Sequence, residues 1–156
     1  MGTSYEDTAY LLSRTGFGGT PADIEALMPM DWADLVDHLL DTSVNPPIGD
    51  GAPNLSEDRS WGDRYKDMVS FWFDRAATVP KPVQEKMVLF WHGFLVSGLN
   101  KVGRLHQMFD QNQLFRSDGL GNFTELLQKV SVQPAMLRYL DNNTNFEGSP
   151  NENFAR

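Results

Sequence analysis

Apolar residues recur at three- and four-residue steps along almost the whole chain, and this spacing is the period of an amphipathic α-helix. A first helix is predicted before the glycine-rich turn at residues 16–19. A second follows Thr20-Pro21, where Thr suits the N-cap and Pro suits the first helical position. A third is predicted after Asp31, which can cap it. We expect residues 1–41 to form a small helical cap.

The helical pattern is interrupted at residues 42–58, which are rich in Asn, Pro, Gly, Asp and Ser and contain Pro46-Pro47. No regular element tolerates this composition, so an exposed loop is predicted. Helical spacing resumes beyond it, and residues 59–156 are expected to form the core helices. No alternating strand pattern of useful length occurs. The predicted fold class is all-α, an irregular multi-helix bundle.

One helix, about residues 82–98, is predicted to lie at the centre of this bundle. Pro82 marks its start and Glu85 lies in the first turn, where the helix dipole favours an acid. From Met87 to Val96 the apolar residues fall on every side, which is typical of a buried helix. Aromatic residues on this helix and the preceding one are predicted to belong to the core. They are Phe71, Trp72, Phe73, Phe90, Trp91 and Phe94.

Two polar residues share one face of the predicted central helix. Glu85 and His92 are two turns apart, so a carboxylate and an imidazole are expected to point in the same direction. As a catalytic pair, His92 would be the general base or ligand, with Glu85 or an acid elsewhere fixing its tautomer. The alternative is that His92 is a hydrogen-bonded packing residue. His38 and His106 lack such a context and are expected at the surface.

An Asn-rich stretch spans residues 141–153, and its composition allows two interpretations. Asn and Asp favour turns because their side chains bond the neighbouring backbone, which predicts a solvated loop. The same oxygen atoms could bind Ca²⁺ or Mg²⁺, or an anionic or sugar-like ligand, although the spacing of a calcium-binding loop is absent. The candidate ligand-binding or polar-network residues are Asp141, Asn145, Asn151, Glu152 and Asn153.

Charge and cysteine content restrict the classes of partner and cofactor. The formal net charge is −8 and Lys and Arg do not cluster, so nucleic acids and anionic membranes are not expected partners. The chain has no cysteine, and we expect no zinc site and no required cofactor. Neither a signal peptide nor a membrane-spanning segment is present in this sequence, so no localisation follows.

Three blocks in the chain resemble a bacterial family catalogued as domain of unknown function 1800. They are Leu11–Gly18, Pro82–Val102 and Pro134–Arg156. The resemblance implies a helical fold without an established activity. Many similar members have a second histidine two positions after the one matching His92, where this chain has Phe94, so a two-histidine metal site is not carried over.

The family pattern continues beyond the position of Arg156. The resemblance therefore implies that residues 1–156 are the N-terminal part of one larger helical domain. The missing C-terminal portion of its own chain is then an expected partner, and Arg156 is expected to pair with a carboxylate of the complete domain.

Two function classes remain open at this point. In the favoured one, the polar residues form a buried network that locks helices together, and the protein is a structural or partner-binding module. In the alternative, the chain belongs to an enzyme, such as a hydrolase, that uses His92 and the Asn-rich stretch as its site. No nucleophile motif, phosphate-binding loop or metal-ligand spacing favours the enzyme.

Overall fold

The computed structural model describes residues 1–149 and 151–154, without the side chains of Asp50 and Phe154. Within this part of the chain there are nine α-helices and no β-strand, which confirms the all-α class. The helices are α1 Tyr5–Thr15, α2 Pro21–Leu27, α3 Trp32–Leu40, α4 Trp61–Thr78, α5 Val83–Phe94, α6 Leu99–Val102, α7 Leu105–Asp118, α8 Phe123–Ser131 and α9 Pro134–Tyr139. No described helix combines the length and the apolar character needed to cross a bilayer.

Polar caps define the starts of several helices, as their residue types predict. The hydroxyl of Thr20 accepts from the backbone N–H of Asp23, whose carboxylate accepts from the N–H of Thr20 in return. Asp31 caps α3 and Asn122 caps α8 in the same way, each accepting from a backbone N–H three residues later. The predicted loop at 42–58 contains only two short 3-10 helices, at Thr42–Val44 and Gly49–Gly51.

The described residues fall into two compact units. The first unit contains Met1–Ala52 and Ser70–Lys86. Its apolar cluster lies among α1, α2 and α3, with Leu35 fully buried and Leu11 and Leu39 nearly so. The ammonium group of Lys86 donates to the backbone oxygens of Ser13 and Gly16, at the C-terminal end of α1.

The second unit contains Pro53–Val69 and the described residues from Met87 onward. Its core is built around α6, α7 and α9, where Val102, Met108 and Ala135 are buried together. Partly buried apolar side chains pack against these three, and Tyr139 is one of them. This packing fixes α6 against α9 and so positions the polar residues that follow α9.

The prediction of a buried central helix is only half correct. The N-terminal half of α5 is enclosed, since Val83, Glu85 and Val88 are buried. Its C-terminal half exposes Phe90 and Phe94 at 52% and 62% of their surface, and α5 ends at Phe94 instead of continuing to residue 98. A helix with apolar residues on all sides can be enclosed by other helices. The pattern does not predict whether other helices cover its whole length.

The prediction that six aromatic residues belong to the core is also only partly correct. Phe71 is buried, whereas Trp72 and Trp91 are half-buried. Phe73, Phe90 and Phe94 are exposed, so their assignment to the core is wrong. Exposed apolar side chains are common on protein surfaces, and residue type alone does not decide which aromatic rings are covered.

Candidate functional site

The most polar constellation in the second unit begins with an ion pair between α6 and the end of α9. The Lys101 ammonium lies 2.6 Å from a carboxylate oxygen of Asp141, with 42% and 36% of the two side chains exposed. Lys101 also lies over the ring of Tyr139, 5.7 Å from its centroid. Because α6 packs against α9, these three side chains are held together by the surrounding helices.

Asp141 has an unusual backbone conformation. Its φ of 58° and ψ of 17° place it in the left-handed region, and no other non-glycine residue in the described chain has a positive φ. Asp tolerates this region better than most residue types, yet the conformation costs free energy. The backbone oxygen of Asp141 accepts from the N–H and the hydroxyl of Thr144, which stabilises the turn. The result is a carboxylate aimed back at Lys101.

Side-chain amides hold the Asn-rich loop in a compact form. The backbone N–H of Asn151 donates to Asn145 Oδ1 at 2.5 Å, and the side-chain amide of Asn145 donates to Asn142. Asn151 Oδ1 in turn accepts from the N–H of Asn153 at 2.9 Å. Asn153 Nδ2 lies 3.4 Å from the Asp141 carboxylate. The loop is thereby joined to the Lys101–Asp141 pair.

An open cavity of about 430 Å³ lies beside this network. It is lined by Asn100, Lys101, Tyr139, Leu140 and Asn153. The lining combines amide groups, one cation, an aromatic ring and an aliphatic side chain. Its volume falls within the range of small-molecule sites, roughly 300–1,000 Å³.

The structure brings four of the predicted site residues into this one network: Asp141, Asn145, Asn151 and Asn153. Glu152 is exposed on a 3-10 helix, Glu152–Phe154. Arg156, the remaining candidate, lies outside the described residues. The predicted buried cluster is wrong in one respect, since this loop lies at the surface.

Glu85 occupies a different environment, in the first unit. Its carboxylate is fully buried and accepts from Arg75 Nε at 3.0 Å. Arg75 also donates to the backbone oxygen of Pro46, and its guanidinium lies 6.0 Å from the ring centroid of Phe71. These contacts make Glu85 half of a buried ion pair, which is a structural role that the sequence interpretation did not include.

His92 lies in the second unit and is half-buried. Burial lowers the pKa of its imidazole below the ordinary value of 6.5, because the charged form is poorly solvated. Glu85, its predicted partner, is engaged with Arg75 in the first unit. The catalytic role predicted for His92 and Glu85 remains a prediction. His38 and His106 are exposed, as expected.

Metal-ligand chemistry has limited support in this site. Among the described residues, no group of three or more His, Cys, Asp or Glu side chains is arranged to hold a metal ion. The carboxylate of Asp141, the strongest hard ligand of the Asn-rich loop, is paired with Lys101. A Ca²⁺ or Mg²⁺ ion at this carboxylate would meet the positive charge of Lys101, which disfavours cation binding there.

Sequence reasoning missed the residues contributed by the helices. Lys101, Asn100 and Tyr139 line the cavity, yet no local pattern distinguishes them. Gln111, on α7, is a further polar residue that the sequence analysis did not select as a site residue. Gln111 is almost fully buried, and neither atom of its side-chain amide has a hydrogen-bond partner in the described structure. Such a pair of atoms is a suitable place for an internal water.

The sequence of this chain matches a known protein family. A family model described as "Protein of unknown function (DUF1800)" matches residues 10–156. No curated protein and no solved structure matches the chain. The family match covers all nine helices described above except the first residues of α1. The chain therefore belongs to the DUF1800 family of proteins of unknown function.

Proposed function

We propose that this protein is a helical partner-binding module that docks an amphipathic helix of another protein on an apolar face of α5 and α8. The proposal rests on four aromatic rings of the second unit that contact one another, three of which are exposed. We call this set the aromatic face. It consists of Phe90, Trp91 and Phe94 on α5 and Phe123 on α8.

The rings of the aromatic face contact one another in sequence. Phe90 and Phe94 stack with centroids 5.8 Å apart, and both meet Trp91 edge to face. Trp91 stacks on Phe123 at 5.6 Å, which joins α5 to α8. Contacts of this kind add about 0.5–1.5 kcal/mol per pair beyond the area they bury. The face is therefore preorganised.

Trp91 is fixed by a polar contact as well. Its indole N–H donates to the backbone oxygen of Gly119 at 2.7 Å. A Cβ atom at position 119 would lie 2.8 Å from Trp91 Cδ1, so glycine allows this close approach. A ring held on several sides loses little conformational freedom when a partner binds, which favours affinity.

Exposure of the aromatic face is unusual for a surface that contacts only water. Phe90, Phe94 and Phe123 expose 52%, 62% and 46% of their surface, and Leu127, one turn after Phe123, is also exposed. Burying a side chain of this size contributes about 1.5–3 kcal/mol. Contiguous apolar side chains of this kind mark interaction surfaces, and aromatic residues dominate binding energy at such surfaces.

The spacing of the exposed apolar side chains indicates the occupant. Phe90 and Phe94 are one turn apart on α5, as are Phe123 and Leu127 on α8, so the face presents side chains at helical intervals. An amphipathic helix inserts its apolar side chains between such rows. The formal charge of −8 arises in residues 1–52, outside the second unit, so it does not select the charge of the docked helix.

The polar network beside Lys101 supports the same interpretation, since it ties the Asn-rich loop to α6 and α9 and so stabilises the unit that carries the aromatic face. The enzyme alternative has less support. Glu85 forms a buried ion pair with Arg75, and the sequence around His92 contains no recognised nucleophile motif.

A binding experiment with the present chain tests the proposal. The probe is a fluorescent peptide of Leu and Lys, about 18 residues or five helical turns long, with a scrambled peptide of identical composition as control. We expect fluorescence anisotropy to show binding of the amphipathic peptide only. The double variant Phe90→Ser/Phe94→Ser should weaken it at least tenfold. Phe146→Ser removes another exposed ring and should change affinity little.

Two further outcomes would contradict the proposal. If sedimentation shows a dimer that the double variant dissociates, the occupant of the face is a second copy. Equal binding of the scrambled peptide would indicate charge attraction without docking.

A further inference from the structure

We propose that the cavity beside Lys101 binds a neutral, polyhydroxylated ligand of the sugar class. The site is separate from the aromatic face and the inference does not depend on the proposed function. It rests on the charge, the hydrogen-bonding groups and the rigidity of the residues around the cavity.

The charged groups beside the cavity are of opposite sign. Among the described residues that line the cavity, Lys101 alone is charged, and its ammonium is paired with Asp141 at 2.6 Å. The site therefore carries both signs at one place and no net charge. A phosphate or carboxylate ligand would gain from Lys101 but meet the Asp141 carboxylate, and a cationic ligand would meet Lys101. A neutral ligand avoids both penalties.

The hydrogen-bonding groups are of mixed type and close together. The side-chain amides of Asn100 and Asn153 can each donate and accept, the ammonium has donors beyond the one directed to Asp141, and the carboxylate has further lone pairs. A hydroxyl group also donates and accepts, so adjacent hydroxyl groups can satisfy such a set. The ring of Tyr139 and the side chain of Leu140 provide apolar contact for the carbon atoms of the ligand.

Rigidity favours binding at this site. The left-handed turn at Asp141 is held by Thr144 and by the ion pair with Lys101. Asn153 is positioned by the hydrogen bond from its backbone N–H to Asn151. A strained residue that its surroundings hold in place is often associated with a functional site. Because Asp141 and Asn153 are already held by these contacts, ligand binding has little ordering cost for them.

The test uses the whole chain and a matched pair of ligands, D-glucose and glucose 6-phosphate, with N-acetyl-D-glucosamine as a second neutral sugar. Binding is followed by shifts of the backbone amide signals in NMR titrations. We expect a neutral sugar to bind with a Kd on the order of 1–10 mM, which is typical of a small open site, and to shift the signals of Lys101 and Tyr139. Glucose 6-phosphate should bind no more tightly than glucose.

Asp141→Asn provides the decisive variant. It keeps the size of the side chain and one acceptor oxygen, but it replaces the other oxygen with a donor and leaves the charge of Lys101 unbalanced. We expect the affinity for the neutral sugar to fall at least fivefold and the affinity for glucose 6-phosphate to rise at least fivefold. Asp67→Asn is the control, since Asp67 pairs with Arg59 at 2.5 Å in the same unit and is similarly exposed. It should leave both affinities unchanged.

The proposal is overturned if neither neutral sugar shifts the cavity residues at about 100 mM, a concentration that would reveal even very weak binding. It is also overturned if the unaltered chain prefers glucose 6-phosphate, or if Asp141→Asn leaves the preference unchanged while its amide spectrum shows a folded protein. A preference of the unaltered chain for glucose 6-phosphate would show that the site is an anion site. An unchanged preference in Asp141→Asn would show that Asp141 has only a structural role.

Discussion

Glu85 and Asp141 are both carboxylates paired with a cation, but their surroundings differ. Glu85 is fully buried and shares its partner Arg75 with the backbone oxygen of Pro46. Asp141 is half-exposed, and its pair with Lys101 borders a cavity. Solvent screens the exposed pair, whereas a buried charge that loses its partner is poorly solvated. At the residue scale, burial therefore separates a structural pair from a candidate site.

Removing the charge of Glu85 should destabilise the protein strongly. Glu85→Gln leaves Arg75 without its buried counterion, and we expect the free energy of unfolding to fall by about 3 kcal/mol. Urea denaturation measures this change. Asp67→Asn, which breaks the exposed pair with Arg59, should cost less than about 1 kcal/mol. Similar losses in the two variants would contradict the assigned role of burial.

His92 should make stability depend on pH in the mildly acidic range. Its pKa in the folded protein lies below the ordinary 6.5 because of burial, so the unfolded chain binds more protons as the pH falls. Stability should therefore decrease as the pH drops through about 6.5 and stop decreasing below the folded-state pKa. Urea denaturation at a series of pH values measures this.

Two substitutions isolate the contribution of His92. His92→Gln should remove this pH dependence, whereas His106→Gln, at an exposed position, should retain it. If His92→Gln keeps the full dependence, another group causes it.

At the scale of elements, the helix starts follow from local chemistry. Thr20 and Asp23 cap α2 reciprocally, while Gln133 at the start of α9 makes no side-chain cap. The first N–H groups of a helix have no partner within it, so a capping side chain satisfies a group that would otherwise need water. Caps of this type determine where helices begin without any tertiary contact.

Thr20→Ala should therefore weaken the first unit. The substitution removes the hydroxyl that accepts from Asp23, and we expect a loss of about 1 kcal/mol in chemical denaturation. Gln133→Ala, at an N-cap position without a capping bond, should change stability by less than about 0.5 kcal/mol. A larger effect at Gln133 than at Thr20 would show that tertiary packing, not capping, controls these ends.

For the whole molecule, the charge is unevenly distributed along the chain. Residues 1–52 contain nine acidic residues and one basic residue, so the entire formal charge of −8 arises there. In the described part of this region no acid forms an ion pair. Asp37 lies three residues after Asp34 and four before Asp41, and like charges at these spacings destabilise a helix.

Salt should consequently stabilise the protein. Raising NaCl from about 0.01 M to about 0.15 M shortens the screening length from about 30 Å to about 8 Å, and we expect the melting temperature to rise. Asp37→Asn should raise stability by about 0.5 kcal/mol at low salt and less at high salt. Asp110→Asn, which has no acid three or four residues away, is the control. A melting temperature that falls with salt would contradict this interpretation.

Much of the fold could be predicted because it depends on residues near one another in sequence. The period of apolar residues identified the all-α class, and Thr20 and Asp31 marked helix starts that the structure confirms. The candidate site was predicted in part. Asp141, Asn145, Asn151 and Asn153 were selected for their composition, and they do form one network. Lys101 was not selected, because it lies 40 residues from Asp141 in sequence.

The sequence by itself determined the helices, their caps, the net charge and the turn-forming loop, since each depends on the chemistry of neighbouring residues. Only the tertiary structure decided what each helix face contacts. It paired Glu85 with Arg75, placed Lys101 beside Asp141, and left Phe90 and Phe94 exposed although their helix is apolar on every side. Burial and ion pairing depend on elements distant in sequence, and residue spacing along one helix carries no information about those elements.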